Sequence, residues 1–150
     1  MLLGARKLAP TVRDVNYWLA NAFRMTGQAS QSRDLFRQLL TDRPDDFDTS
    51  FALAFLLRDM GKPAEAAETL RRACRFPAVN QEQLLQVTGF LRDINQADTA
   101  IETMEVAVSR NPDQPDLHFK LARLFQSVGQ FDRSRNEFRK TLDLDPSTGP

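Results

Sequence analysis

The chain has 150 residues, 41% of them hydrophobic and 27% charged, and its twenty basic side chains are balanced by twenty acidic ones. That is long enough for one domain with a continuous core, and the absence of a basic surplus speaks against nucleic acid as the main partner. A lone Cys74 leaves no internal disulfide framework and no cysteine-rich zinc site; no run of about 18 apolar residues is present, and the Met1-Leu2-Leu3 start is too short for a signal peptide, so the expectation is a cytoplasmic protein with no membrane insertion.

From the N-terminus, Leu2, Ala5, Leu8 and Pro10 fall in the same frame as Phe36, Leu39, Asp42 and Pro44, so residues 1–12 read as the remnant of a preceding helix. Four 34-residue units follow, at 13–46, 47–80, 81–114 and 115–148. Each carries two stretches of apolar residues at three- and four-residue steps, the helical period. The predicted helices are 14–26 and 30–42, 48–60 and 64–76, 82–94 and 98–110, and 116–128 and 132–144. Gly27, Gly61, Asn95 and Gly129 share the column between paired helices, where the chain needs a left-handed residue. Pro115-Asp116 opens the seventh helix, since proline suits the first turn and an acid complements the positive helix end. Pro44, Pro112 and Pro146 close their units, while the second unit has Ala78 in that column and its proline at Pro77.

Two columns hold small residues: Ala20, Ala54, Thr88 and Ala122 on the first helices, and Ser32, Ala66, Ala100 and Ser134 on the second. They let paired helices approach closely, with Phe36, Leu70, Met104 and Phe138 filling the space beside them. A fixed period of this kind is the mark of a solenoid. The pattern resembles the tetratricopeptide repeat (TPR): 34 residues, two helices, small residues at the eighth and twentieth positions, and proline near the end. The resemblance covers residues 13–148. It departs at the fourth position, often Trp in that family and here Asn16, Ser50, Leu84 and His118.

The resemblance implies an all-α, right-handed α-solenoid of four helix-turn-helix pairs, with first helices lining a concave groove. Its groove positions hold an acidic row (Asp14, Asp48, Glu82, Asp116), a basic row (Arg24, Arg58, Arg92) and, between them, Tyr17, Asn21, Phe51, Phe55, Leu85, Phe119, Lys120 and Arg123. Acids in first turns and arginines in last turns also complement helix dipoles, which would explain both rows without a ligand. The aromatics either bind a partner or pack between neighbouring first helices. In the family's carboxylate-clamp register the chain offers Tyr17, Asn21, Ala52, Glu82 and Gln86, of which only Asn21 matches, so a clamp for a peptide terminus is not expected.

Catalytic and cofactor signals are lacking. His118 has no cysteine nearby and Asp116 lies on a different helix face, so it reads as a solvated or partly packed histidine. Cys74 shares a column with Leu40, Val108 and Leu142 and reads as an inert buried thiol. With no following helix after the fourth unit, Phe138, Leu142 and Leu144 are expected to be exposed and to support self-association. The sequence therefore suggests a scaffold that binds a partner protein or peptide, with no cofactor and no enzymatic activity. The alternative is a non-catalytic segment of a larger enzyme, such as a bacterial transferase, serving docking or oligomerisation.

Overall fold

The computed structural model describes residues 9–145 and 147. The predicted helix remnant at residues 2–8 and the closing Pro146 lie outside the described residues. Eight helices make up the rest: α1 (Val12–Met25), α2 (Ala29–Asp42), α3 (Phe47–Asp59), α4 (Pro63–Ala73), α5 (Gln81–Asp93), α6 (Ala97–Arg110), α7 (Pro115–Ser127) and α8 (Phe131–Leu144). No strand occurs among the described residues.

The two classes of helix start differently. Three of the first helices have a side-chain cap: Thr11 with Asp14, Asp46 over Thr49, and Asn80 with Gln83. The fourth, α7, has Pro115 in its first turn instead. Such caps satisfy amide groups that the helix leaves unpaired. The second helices have no side-chain cap. They follow directly from a tight turn that the first helix makes at its end. In that turn Gly27, Gly61, Asn95 and Gly129 have positive φ, from 61° at Asn95 to 79° at Gly27 and Gly129. The next amide then reaches back five residues in every pair, from Gln28 to the Phe23 carbonyl, Lys62 to Leu57, Gln96 to Leu91 and Gln130 to Phe125, at 2.8–2.9 Å. This bond closes a left-handed helix end.

The helix ends fall within one or two residues of those expected, with one exception. Helix α4 stops at Ala73, three residues early, and turns follow through Ala78. Pro77 accounts for this, because it disfavours helical backbone at Phe76 and has no amide to donate.

Within each pair the small columns meet, and Ala20, Ser32, Ala54, Ala66, Thr88, Ala100, Ala122 and Ser134 are all buried. The outer pairs add a hydrogen bond at this contact. The Ser32 hydroxyl donates to the Ala20 carbonyl at 2.7 Å and Ser134 to Ala122 at 2.8 Å. Between pairs, α2 packs on α3 and α6 on α7, whereas the middle junction runs from α4 to α6. Each linker between pairs is fastened by a neighbouring side chain. Arg13 donates to the Leu39 carbonyl and to Asp46, Arg110 donates to the carbonyls of Val79 and Phe76, and His118 Nε2 donates to the Pro112 carbonyl at 2.7 Å.

Candidate partner-binding face

The aromatic residues expected in the groove are split among three places. On α3, Phe51 and Phe55 stack with ring centres 5.1 Å apart, and Phe47 meets Phe51 edge-on at 5.5 Å. Phe90, on α5, contacts both, at 5.6 Å from Phe51 and 4.8 Å from Phe55. The two expected groove residues are thus half-buried and also join neighbouring first helices. Phe119 stays outside this cluster: it is exposed and its edge packs on Phe138 at 5.7 Å.

A cleft of 720 Å³ opens between α3 and α5, lined by Phe51, Phe55, Arg58, Gln86, Gly89, Phe90, Asp93 and Ile94. The Arg58 guanidinium lies 4.8 Å from the centre of the Phe55 ring and is held by Asp59 Oδ1 at 3.0 Å. A larger cleft, 920 Å³, lies away from this face, over α3 between α2 and α4, with Leu53 and Leu57 among its lining.

The other expected residues are dispersed. Tyr17 packs edge-on against Trp18 and Phe36. Asn21 spends an amide hydrogen on the Tyr17 carbonyl in its own helix, at 3.1 Å. Leu85 is half-buried against the core. Lys120 pairs with Asp116 at 2.9 Å. Arg24 reaches Asp59 at 3.7 Å, so the basic row is partly neutralised from within. The exposed side chains of Arg92 and Arg123 have no ion-pair or hydrogen-bond partner among the described residues.

At the array's ends the outcome is uneven. Leu142 and Leu144 are exposed as expected, but Phe138 is half-buried, because Phe119 packs against it. Helix α1 exposes a larger apolar set, Val12, Val15, Trp18, Leu19 and Met25.

The tetratricopeptide-repeat description matches twice, over residues 17–80 and 115–148. The chain belongs to the tetratricopeptide-repeat family. The third helix pair lies outside both matches, and it is the pair with Asn95 in the glycine column and Thr88 in the alanine column. Among curated proteins the chain is 22% identical to the protein O-mannosyl-transferase TMTC1 of Mus musculus and of Homo sapiens. It aligns over 94% and 96% of its own length but spans only 15% and 17% of theirs. Among solved TPR structures, a MamA point mutant superposes with a TM-score of 0.60 at 21% identity, covering 90% of this chain and 98% of that one. MamA from Desulfovibrio magneticus RS-1 gives 0.52 at 19%, covering 92% and 78%. These likenesses show a shared fold.

The one histidine differs from its expected solvated or partly packed state. His118 is buried, with Nδ1 2.6 Å from Glu137 Oε2 and Nε2 on the Pro112 carbonyl. A carbonyl can only accept, so Nε2 carries a proton, and one further proton lies between Nδ1 and the carboxylate. Lys140 donates to the other Glu137 oxygen at 3.2 Å. The signal was readable only by pairing two columns of one TPR unit: the fourth position becomes His118 where the nineteenth residue beyond it becomes Glu137. Cys74 is buried as expected, and burial pushes its thiol up to about 11, which keeps it protonated and unreactive. No helix among the described residues is long and apolar enough to cross a membrane.

Proposed function

We propose that this TPR array is a non-catalytic scaffold that holds a partner polypeptide against its first-helix face. The observation that carries the reading is the Phe51–Phe55–Phe90 cluster and its open cleft; Arg92 and Arg123, without a partner among the described residues, lie on the first helices α5 and α7. Aromatic side chains beside arginine are the usual composition of binding hot spots. A preformed helical face also loses little conformational entropy on binding.

Capture from lysate tests this with two paired variants. Arg92→Glu with Arg123→Glu changes the first-helix face, and Arg72→Glu with Arg139→Glu changes second helices. The first pair should lose partners that the second retains. An identical partner set for wild type and the first pair would overturn the reading.

A second reading rests on the transferase relatives, of whose length this chain spans a small part. In it, the array is the docking segment of a larger enzyme and the bound polypeptide is that enzyme's substrate protein. A transferase domain encoded on the same polypeptide would support it, and the scaffold chemistry of the face would be unchanged.

A further inference from the structure

Four glycines are described with helix-pair geometry around them, and three have an evident backbone reason to be glycine. Gly27, Gly61 and Gly129 have positive φ, which side chains resist. Gly89 does not. It sits inside α5, where glycine is the least favourable residue after proline. Packing does not demand it either, since a Cβ built there meets nothing within 4 Å. What Gly89 does is leave the α5 wall of the 720 Å³ cleft open beside Phe90, with Phe51 and Phe55 on the α3 wall.

We propose that the cleft beside Gly89 receives the side chain of a tryptophan or tyrosine projecting from a bound polypeptide; this rests on the reading that the first-helix face binds such a chain. The lining selects this class in three ways. Arg58 is already held by Asp59 at 3.0 Å and offers an acidic side chain little attraction, while a lysine ammonium can meet the exposed Asp93 without giving up its hydration among the rings. The stacked Phe51 and Phe55 and the tilted Phe90 favour a further ring over an aliphatic chain. Gln86 and Asp93 supply acceptors at the edge for an indole N–H or a phenol O–H.

The test uses five-residue peptides, Ac-Gly-Ser-X-Ser-Gly-NH2, titrated into the ¹⁵N-labelled chain, with X as Trp, Tyr, Leu, Asp or Lys. Trp and Tyr should give saturable shifts at the Gly89 amide, Leu should bind roughly two- to tenfold more weakly, and Asp and Lys should leave that amide still. Gly89→Leu, which fills the cleft, should abolish the Trp and Tyr shifts. Should that variant not fold, Gln86→Trp covers the mouth from an exposed position one turn earlier. Gly89→Ala should raise the melting temperature by about 2–4 °C.

Unchanged binding in the filled or covered variant overturns the proposal. So does equal binding of the charged peptides, a Gly89 amide that no peptide moves, or a lower melting temperature for Gly89→Ala, which would show that glycine is needed by the fold. If shifts appear at Leu85, Phe119 or Arg123 but not at Gly89, the face still binds polypeptide and the cleft assignment alone fails. If no first-helix amide moves, the cleft assignment fails and the capture experiment decides the face.

Discussion

Helices α1 and α7 occupy the same place in the repeat and meet different fates. In α7, Leu117 and Leu121 are 0% and 3% exposed; their counterparts in α1, Val15 and Leu19, are 54% and 43% exposed. Ala22 is exposed where Leu124 is buried. All six are apolar, so composition does not separate the two helices. The difference is that α6 packs on α7, while no described helix precedes α1. Burial in this array is conferred by the neighbouring pair, and a column's hydrophobicity states which surface expects a neighbour.

The sharpest way to break the comparison is to truncate the same column at both ends. Leu121→Ala should cost about 2–5 kcal/mol, as buried leucine truncations do. Leu19→Ala should cost about 1 kcal/mol or less, because the side chain is already 43% exposed. Urea denaturation of the two variants measures this, and equal losses would mean that α1 is covered in solution.

The fourth column offers a smaller contrast. His118→Ala leaves the Glu137 carboxylate buried with only Lys140 beside it and removes the donor to Pro112, a loss of about 3 kcal/mol. Its α1 counterpart Asn16 is half-buried with no side-chain bond among the described residues, and Asn16→Ala should cost no more than about 0.5 kcal/mol. A mild His118→Ala would show that the pair is solvated rather than fastened between α7, α8 and the linker before them.

These contrasts mark what could be read from the residues. The helices, the left-handed turn column and the small-residue contacts were legible because each depends on one residue type at one phase of a short period. The turn could be placed even at Asn95, where the column departs from glycine. Contacts between columns were not legible. His118 meets Glu137, Phe119 meets Phe138, and Arg110 fastens the linker of a different pair; each needs two distant positions to be considered together. The groove row was legible as a set of residues but not as a surface. Phe90 belongs to a core column, and its ring unites Phe51 and Phe55 into one cluster. The exposed apolar face of α1 is not marked by its columns, and the preceding helix that the frame suggests at residues 2–8 lies outside the described residues.

Acid should act unequally on two junctions of the array as well. Burial alone would raise Asp46, but hydrogen bonds from Arg13 and Thr49 hold its carboxyl below its ordinary value of 3.8. A carboxyl depressed on folding stabilises fully above its unfolded value and loses that contribution as pH falls through the folded one. The Arg13–Asp46 contact ties α1 to the start of α3, so wild type should weaken there below about pH 4. Asn80 caps α5 without titrating. Asp46→Asn keeps a competent cap and loses only the charge facing Arg13, so it should cost up to about 1 kcal/mol at neutral pH, and flatten the decline below pH 4. An unchanged pH profile in that variant would remove Asp46 from the acid response.

The smallest expected effect is also the most direct consequence of the α1–α7 difference. The face of α1 that carries Val15 and Leu19 corresponds to the columns buried in α3 and α7, where α2 and α6 pack. At the other end, α8 exposes Phe131, Leu142 and Leu144. The two ends are matched because one repeat generated both, so α8 of one copy resting on α1 of another would continue the α2–α3 and α6–α7 packing. Apolar area buried at about 25 cal/mol per Å² favours the contact, but association must offset about 4 kcal/mol or more of lost freedom. The outcome is weak association, visible as a rise in apparent mass only at high concentration. Because the contact is head-to-tail, it does not close, and mass should keep rising beyond a dimer. Light scattering over a concentration series measures this for wild type, Leu19→Glu and Leu142→Glu. Head-to-tail packing requires each substitution alone to stop the rise. Arrest by only one of them, with wild type levelling at a dimer, would indicate that this end pairs with itself. A wild type monomeric throughout would mean that neither face is available in solution.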